Sequence, residues 1–189
     1  MGKLLDKAIV YATEKHSGDF RKGTSVPYIV HPLEAVAIVA SITDDDDILA
    51  AAALHDVVED TGTPLEEIRK EFNDHIADLV ASESEDKRED QPAEDTWKIR
   101  KEETITFLKT ASYESKLIAI GDKLSNIRAI AREYEVLGKK LWEKFRIKDK
   151  SEHGWYYSSL AEIFTADEKL KNTNACREYV EKVHQVFGE

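Results

Sequence analysis

Apolar positions recur at helical spacing along almost the whole chain. Leu5, Ile9 and Ala12 share one face of a first helix, with Leu4, Ala8 and Tyr11 beside them. After His31-Pro32 the pattern resumes at Leu33, Val36, Ala37 and Ala40, with proline at a helix start, where its missing N–H leaves no bond unmade. Residues 48–59 read as one strongly apolar helix, punctuated at its end by Gly62 and Pro64. Leu65, Ile68 and Phe72 mark a short helix, and Ile76, Leu79 and Val80 another. The clearest buried-helix signal is Leu117, Ile120, Leu124, Ile127, Ala131 and Tyr134, which keeps a three-four rhythm over several turns. Helical patterns at 96–110, 137–145, 155–164 and 179–187 complete the chain. No segment alternates as a strand does, and neither a repeat nor an interdomain linker interrupts the pattern. The expected fold is all-α: one domain over residues 1–189, with a core over about 1–165 and a C-terminal helix over about 166–187.

Two polar stretches break the rhythm. Asp44 to Asp47 form an acidic run at the entry to the helix at 48–59, where negative charge complements the helix dipole, so a capping role is expected rather than a metal site. Residues 83–95 are polar and without periodicity, which predicts a long loop of the kind that serves as a lid or stays disordered.

Composition narrows the function. The sequence carries 38 acidic and 27 basic residues, a formal net charge of −11. Such a field repels nucleic acid and anionic membranes, so neither is expected as a main partner, and a small polyanion needs a local basic cluster. Cys176 is the sole cysteine, which fits a reducing cytoplasm. The N-terminus runs straight into an amphipathic pattern without a secretory signal, and the longest apolar run, 48–54, is far short of the ~20 residues of a membrane helix. The expectation is a soluble cytoplasmic domain.

Against this background some ionisable residues stand in the wrong places. His55 and Asp56 follow Ala51-Ala52-Ala53-Leu54, a run that belongs in a core, and Glu59 and Asp60 lie one helical turn further on. Carboxylates packed this closely repel one another unless a cation sits among them, so the apoprotein is expected to be less stable than the metal-bound form. His31 lies in the apolar stretch Tyr28-Ile29-Val30-His31-Pro32-Leu33, and Asp122 interrupts the most apolar helix just after Gly121, whose missing side chain admits a close approach. Each has a bland reading of its own. A lone histidine is often a hydrogen-bonded core residue, Asp122 has Lys123 or Arg128 as potential partners, and Glu59-Asp60 resembles a solvated helix end, although acids there oppose the dipole. Tyr28 reads as packing. The ordered set is what points to chemistry.

That ordered set, His31, then His55-Asp56, then Asp122, resembles the signature of the HD-domain metal-dependent phosphohydrolases. Finer blocks resemble the Rel/SpoT-type alarmone hydrolases, in particular the small stand-alone ones: Arg21-Lys22-Gly23 with Pro27 to Ala37, then Ala52-Ala53-Leu54-His55-Asp56-Val57-Val58-Glu59-Asp60-Thr61, then Gly121-Asp122-Lys123-Leu124-Ser125-Asn126-Ile127-Arg128. The resemblance implies a helical bundle of roughly eight to ten helices. It implies one divalent ion, typically Mn²⁺, held by His31, His55, Asp56 and Asp122; by ligand type alone Fe²⁺ and Zn²⁺ suit the set equally. It implies that Glu59 and Asp60 position and activate the attacking water, that Arg21 and Lys22 meet the substrate phosphates and base, and that Asn126 contacts the nucleotide. The implied reaction is removal of the 3′-pyrophosphate of (p)ppGpp. Hydrolysis of another nucleotide, such as the 2′-phosphate of NADPH, and a non-catalytic metal-dependent nucleotide sensor remain open at this point.

Some features depart from that pattern. The length leaves no room for the synthetase and regulatory domains of long alarmone enzymes, so synthetase activity is not expected. Residues 82–101 are unusual and would flank the pocket. Their cations, Lys87, Arg88, Lys98, Arg100 and Lys101, either line its mouth or solubilise a loop. Ala129 stands where the family often has a polar residue, and the segment His153 to Tyr157 is also a variant. Sequence leaves the oligomeric state open.

Overall fold

The computed structural model describes residues 2–86, 88 and 90–188. Among these residues the chain forms ten α-helices and one 3-10 segment, without a strand; an isolated bridge joins Phe20 and Pro27. The helices are α1 (Lys3–Lys15), α2 (Val30–Ala40), α3 (Asp46–Leu54), α4 (Val57–Thr61), α5 (Leu65–Glu71), α6 (Asp74–Glu83), α7 (Ala93–Thr110), α8 (Tyr113–Leu137), α9 (Lys150–Ala166) and α10 (Asn174–Phe187). The 3-10 segment, Gly138–Lys144, replaces the helix expected at 137–145. The all-α expectation holds. Among the described residues no helix is long and apolar enough to cross a membrane. Two compact units divide the chain: Met1–Ser84 with Tyr113–Ser125, and Glu85–Ser112 with Asn126–Glu189.

In the first unit α3 is the hub. Ile48 through Leu54 are all buried, and α1, α2 and α6 pack against this one helix. Four successive alanines, Ala50 to Ala53, give it a thin profile that neighbours approach from several sides, which is the composition of a helix apolar all round. Two residues of the acidic run at its entry serve helix starts. Asp45 Oδ1 accepts the N–H groups of Asp47 and Ile48 at 3.0 and 3.2 Å, a cap worth ~1 kcal/mol. Asp46 accepts those of Leu4 and Leu5 at 3.3 and 3.2 Å and so seats the first turn of α1.

The helix expected over 48–59 is interrupted. α3 ends at Leu54, His55 and Asp56 form a turn, and α4 restarts at Val57. The cause is local. His55 Nδ1–H donates to the Ala52 carbonyl at 2.8 Å, the acceptor that an unbroken helix would offer to the Asp56 amide. The break frees His55 and Asp56 from strict helical divergence.

Gly121 explains the approach of α2 to α8. A Cβ there would lie 2.7 Å from Val39 Cγ2 and 3.0 Å from the Ala35 carbonyl oxygen. What approaches the backbone is therefore a neighbouring helix, the one that carries His31. Gly121→Val is expected to cost at least ~2 kcal/mol by overpacking and to weaken metal binding by displacing α2 from α8. A thermal melt and a metal titration of the variant check this; an unchanged Tm would show that the contact is slack.

The second unit holds the unusual segments. His153 is buried among Trp142, stacked at 5.1 Å, Phe145 and Trp97, and its Nε2–H donates to the Ile147 carbonyl at 2.8 Å. Tyr156, Tyr157, Leu160 and Phe164 continue the same buried face, so the segment His153 to Tyr157 is core. The cations of the polar segment are engaged. Arg100 and Lys101 both bind Glu85, at 2.9 and 2.6 Å, Arg88 binds Glu103, and Lys98 binds Glu152 while lying 3.5 Å over the Trp155 ring. Lys87 lies outside the described residues. The loop is shorter than expected, because α6 extends through Glu83 and α7 begins at Ala93.

Candidate metal centre

Three separate parts of the first unit deliver the ionisable set. α2 brings His31 at its second residue, the α3–α4 turn brings His55 and Asp56, and α8 brings Asp122. His31, His55 and Asp122 each offer one ligand atom, and those atoms lie within 4.8 Å of one another. His31 Nε2 is 3.1 Å from Asp122 Oδ1 and 3.3 Å from Asp56 Oδ2; His55 Nε2 is 3.1 Å from Asp56 Oδ2 and 3.2 Å from His31 Nε2. Two imidazole nitrogens and two carboxylate oxygens thus converge on one point, a donor set suited to a divalent transition ion.

The surrounding bonds hold each donor ready. His55 Nδ1–H is committed to the Ala52 carbonyl, which leaves Nε2 facing the cluster. The Ser125 hydroxyl donates to Glu34 Oε2 at 2.8 Å, so His31 Nδ1–H donates to the same hydroxyl at 2.8 Å, and His31 Nε2 likewise faces inward. Asp122 turns Oδ1 to the histidines and gives Oδ2 to Lys123, one of the two partners its sequence context offers, while Arg128 pairs with Glu178. Glu34 and Ser125 are supports that residue-by-residue reading missed. They lie up to 94 positions from what they orient.

Electrostatics follow from this packing. Burial alone would lower the His55 pKa, but Asp56 and then Asp122 outweigh it and push it up to about 10. Burial alone would raise Asp56, yet His55 and His31 hold it well below the usual carboxylate range. Asp122 is held low in the same way, against burial, by Lys123 and the two histidines. The cluster balances its carboxylates with the His55 proton and the Lys123 ammonium.

The remaining sequence-derived candidates fall around this point. Asp60, on α4, is exposed and accepts the Tyr28 hydroxyl at 2.8 Å; the same hydroxyl lies 2.7 Å from Asp56 Oδ2. Tyr28 is thus more than packing. Glu59 is half-buried beside Asp60. Arg21 is brought in, with its guanidinium 5.5 Å from the Tyr28 ring centroid, whereas Lys22 is exposed on the adjoining turn. Asn126 is half-buried one turn beyond Asp122 on α8, in the stretch that belongs to the second unit.

Glu83 corrects the sequence reading most sharply. Expected in a solvated loop, it is the last residue of α6, with Oε1 sealed from solvent and without a hydrogen-bond partner among the described residues. Burial, reinforced by Asp122 and Asp56 and opposed by Lys123 and His55, pushes its pKa up to about 8. A carboxyl with a raised folded pKa takes up a proton on folding. Its contribution therefore falls as pH climbs from the unfolded value through about 8. Glu83→Gln is expected to remove that slope, so that melts of the apoprotein show little difference from wild type at pH 4.5 and a higher Tm for the variant at pH 8. Parallel Tm curves would contradict the assignment.

A helical unit that gathers two histidines and two aspartates at one buried point defines a metal-dependent HD domain. The chain belongs to the HD-domain family, whose model matches residues 8–146, and the family implies a divalent metal. The chain is similar to guanosine-3′,5′-bis(diphosphate) 3′-pyrophosphohydrolase MESH1 of Danio rerio, with 30% identity over 98% of this chain and 93% of the relative. It is 32% identical to the guanosine-3′,5′-bis(diphosphate) 3′-pyrophosphohydrolase of Aquifex aeolicus, over 67% of this chain but 18% of that longer protein. Among solved structures, it resembles a metazoan ortholog of SpoT described as hydrolysing ppGpp and acting in starvation responses. That likeness has a TM-score of 0.76, with 25% identity over 99% of this chain and 97% of the other.

Proposed function

We propose that this chain is a Mn²⁺-dependent phosphohydrolase that removes the 3′-pyrophosphate of guanosine tetra- or pentaphosphate. The observation that carries the reading is the convergence of His31, His55, Asp56 and Asp122, with Asp60 tied to the same point through Tyr28. The similarity to the Danio rerio hydrolase over nearly the full length of both chains supports the substrate.

His31, His55, Asp56 and Asp122 would hold the ion, which supplies Lewis-acid polarisation of the phosphoryl group and acidifies water. The residues do the rest. Asp60, with Glu59 beside it, accepts a proton from the attacking water as its oxygen bonds to phosphorus; the bond from phosphorus to the 3′ oxygen breaks, and the same acid pair returns that proton to the leaving 3′ oxygen. Arg21 and Lys22 offset charge on the phosphates, and Asn126 hydrogen-bonds the nucleotide. Glu34 and Ser125 keep the His31 ring from turning, and Lys123 does the same for Asp122.

The test is a purified-protein assay with Mn²⁺, comparing pyrophosphate release from guanosine tetraphosphate with phosphate release from NADPH. Pyrophosphate release is the expected result. Faster turnover of NADPH would replace the substrate, and tight nucleotide binding without turnover would make the chain a sensor. Repeating the assay with Fe²⁺ and Zn²⁺ decides the metal.

A further inference from the structure

We infer that Tyr28 is a positioning residue of this reaction, whose hydroxyl holds Asp60 against the metal-binding Asp56. The inference rests on the proposed hydrolase function. Tyr28 Oη lies 2.7 Å from Asp56 Oδ2 and 2.8 Å from Asp60 Oδ2. Two carboxylates this close repel each other, and Asp60 is exposed on a five-residue helix that ends at Gly62. The hydroxyl ties its side chain to the carboxylate that faces the metal point.

The ring is fixed on several sides, as a tether requires. His16 stacks on it at 4.7 Å with planes 30° apart, and His31 meets it edge-on at 5.9 Å. The Arg21 guanidinium lies 5.5 Å from its centroid. Its amide donates to the Asp19 carbonyl at 2.9 Å, next to the bridge between Phe20 and Pro27. His16 is an unusual support: it is 3% exposed, and neither ring nitrogen has a hydrogen-bond partner among the described residues, the nearest carboxylate oxygen being that of Asp19 at 3.6 Å. A buried imidazole whose nitrogens make no hydrogen bond among the described residues serves as a flat plate. Tyr28 thereby touches a metal-binding histidine, a metal-binding aspartate, the water-handling acid and the phosphate-binding arginine. If it were packing alone, phenylalanine would serve as well, since it keeps the ring and loses the hydroxyl.

Tyr28→Phe is compared with wild type, Asp60→Asn and the double variant in Mn²⁺-loaded protein. The expected result is a loss of about 10- to 100-fold in kcat, with KM, metal content and Tm close to wild type. The double variant is expected to be no slower than Asp60→Asn, because the hydroxyl acts through Asp60. Crystals of Tyr28→Phe should show the Asp60 carboxylate swung away. A wild-type kcat, additive losses, or a loss fully rescued by excess Mn²⁺ would overturn the inference; the last would mean that the hydroxyl serves Asp56 alone. If wild-type protein releases no pyrophosphate, the substrate reading fails by itself, and the same set is compared on phosphate release from NADPH and by the position of Asp60 in the crystals.

Discussion

Asp122→Ala is expected to lower pyrophosphate release by about a thousandfold or more, the scale of breaking a buried, charge-paired site, and to leave the purified protein without stoichiometric metal. The effect exceeds the loss of one ligand because Asp122 has two tasks. Oδ1 faces the histidines at 3.1 and 3.8 Å, and Oδ2 binds Lys123, whose side chain is 13% exposed. Removing the carboxylate takes from Lys123 an anion it is paired with, beside the candidate cation site. Asp122→Ala/Lys123→Ala is therefore expected to bind Mn²⁺ more tightly than Asp122→Ala. Metal analysis and single-turnover assays read both effects. Full metal content and full activity in Asp122→Ala would end the site assignment, and equal metal affinity of the two variants would remove Lys123 from the account.

Stripping the metal should lower Tm, and by more as pH rises. An ion present at a hundredfold excess over its Kd stabilises the fold by ~2.7 kcal/mol, or about 5–10 °C for a chain of this size. The pH dependence comes from His55. Its folded pKa of about 10 lies above the unfolded value, so in the apoprotein its pairing with Asp56 and Asp122 is fully stabilising below about 6.5 and is lost as pH climbs through about 10. The ion must displace that proton, so its affinity should grow by about tenfold per pH unit across the same window. The gap in Tm between holo- and apoprotein therefore widens from pH 6.5 to pH 9. Calorimetry in two buffers of different ionisation enthalpy should register proton release on Mn²⁺ binding. A gap independent of pH, with no protons released, would show that His55 is neutral before the metal arrives.

These effects also revise how the site's acidity is viewed. The sequence argued that crowded carboxylates strain the apoprotein. The structure keeps the crowding but supplies local compensation, from the histidines to Asp56, from Lys123 to Asp122 and from Tyr28 to Asp60. Destabilisation on metal loss is thus a matter of exchanged protons more than of bare repulsion. Glu83 is the carboxyl among these for which burial, not pairing, sets the charge.

Much of this protein was legible in its sequence, for identifiable reasons. Helical periodicity is set by burial of one stripe of side chains, so the apolar rhythm at 117–134 anticipated α8, and the acidic run at 44–47 anticipated caps. Ionisable residues in apolar surroundings are rare without cause, which singles out His31, His55, Asp56 and Asp122 by residue chemistry alone, and the fold brings their side chains together. What periodicity does not carry is competition for a particular hydrogen bond or contact across the sequence. The break at His55 depends on a side chain taking the Ala52 carbonyl, a choice invisible in a pattern of apolar positions. Glu34 and Ser125, 91 positions apart, become one support for His31 once α2 and α8 pack at Gly121. Tyr28 and Glu83 read as packing and loop because their roles are set by neighbours 27 or more positions away. By itself, then, the sequence determined the helices, the apolar core and the identity of the candidate ligands, since these follow from local spacing and residue chemistry. Tertiary packing alone decided which nitrogen of each histidine faces the cluster, which carboxylates share a hydroxyl and which acid has an oxygen sealed from water, because orientation and solvent exclusion exist only once the helices are in contact.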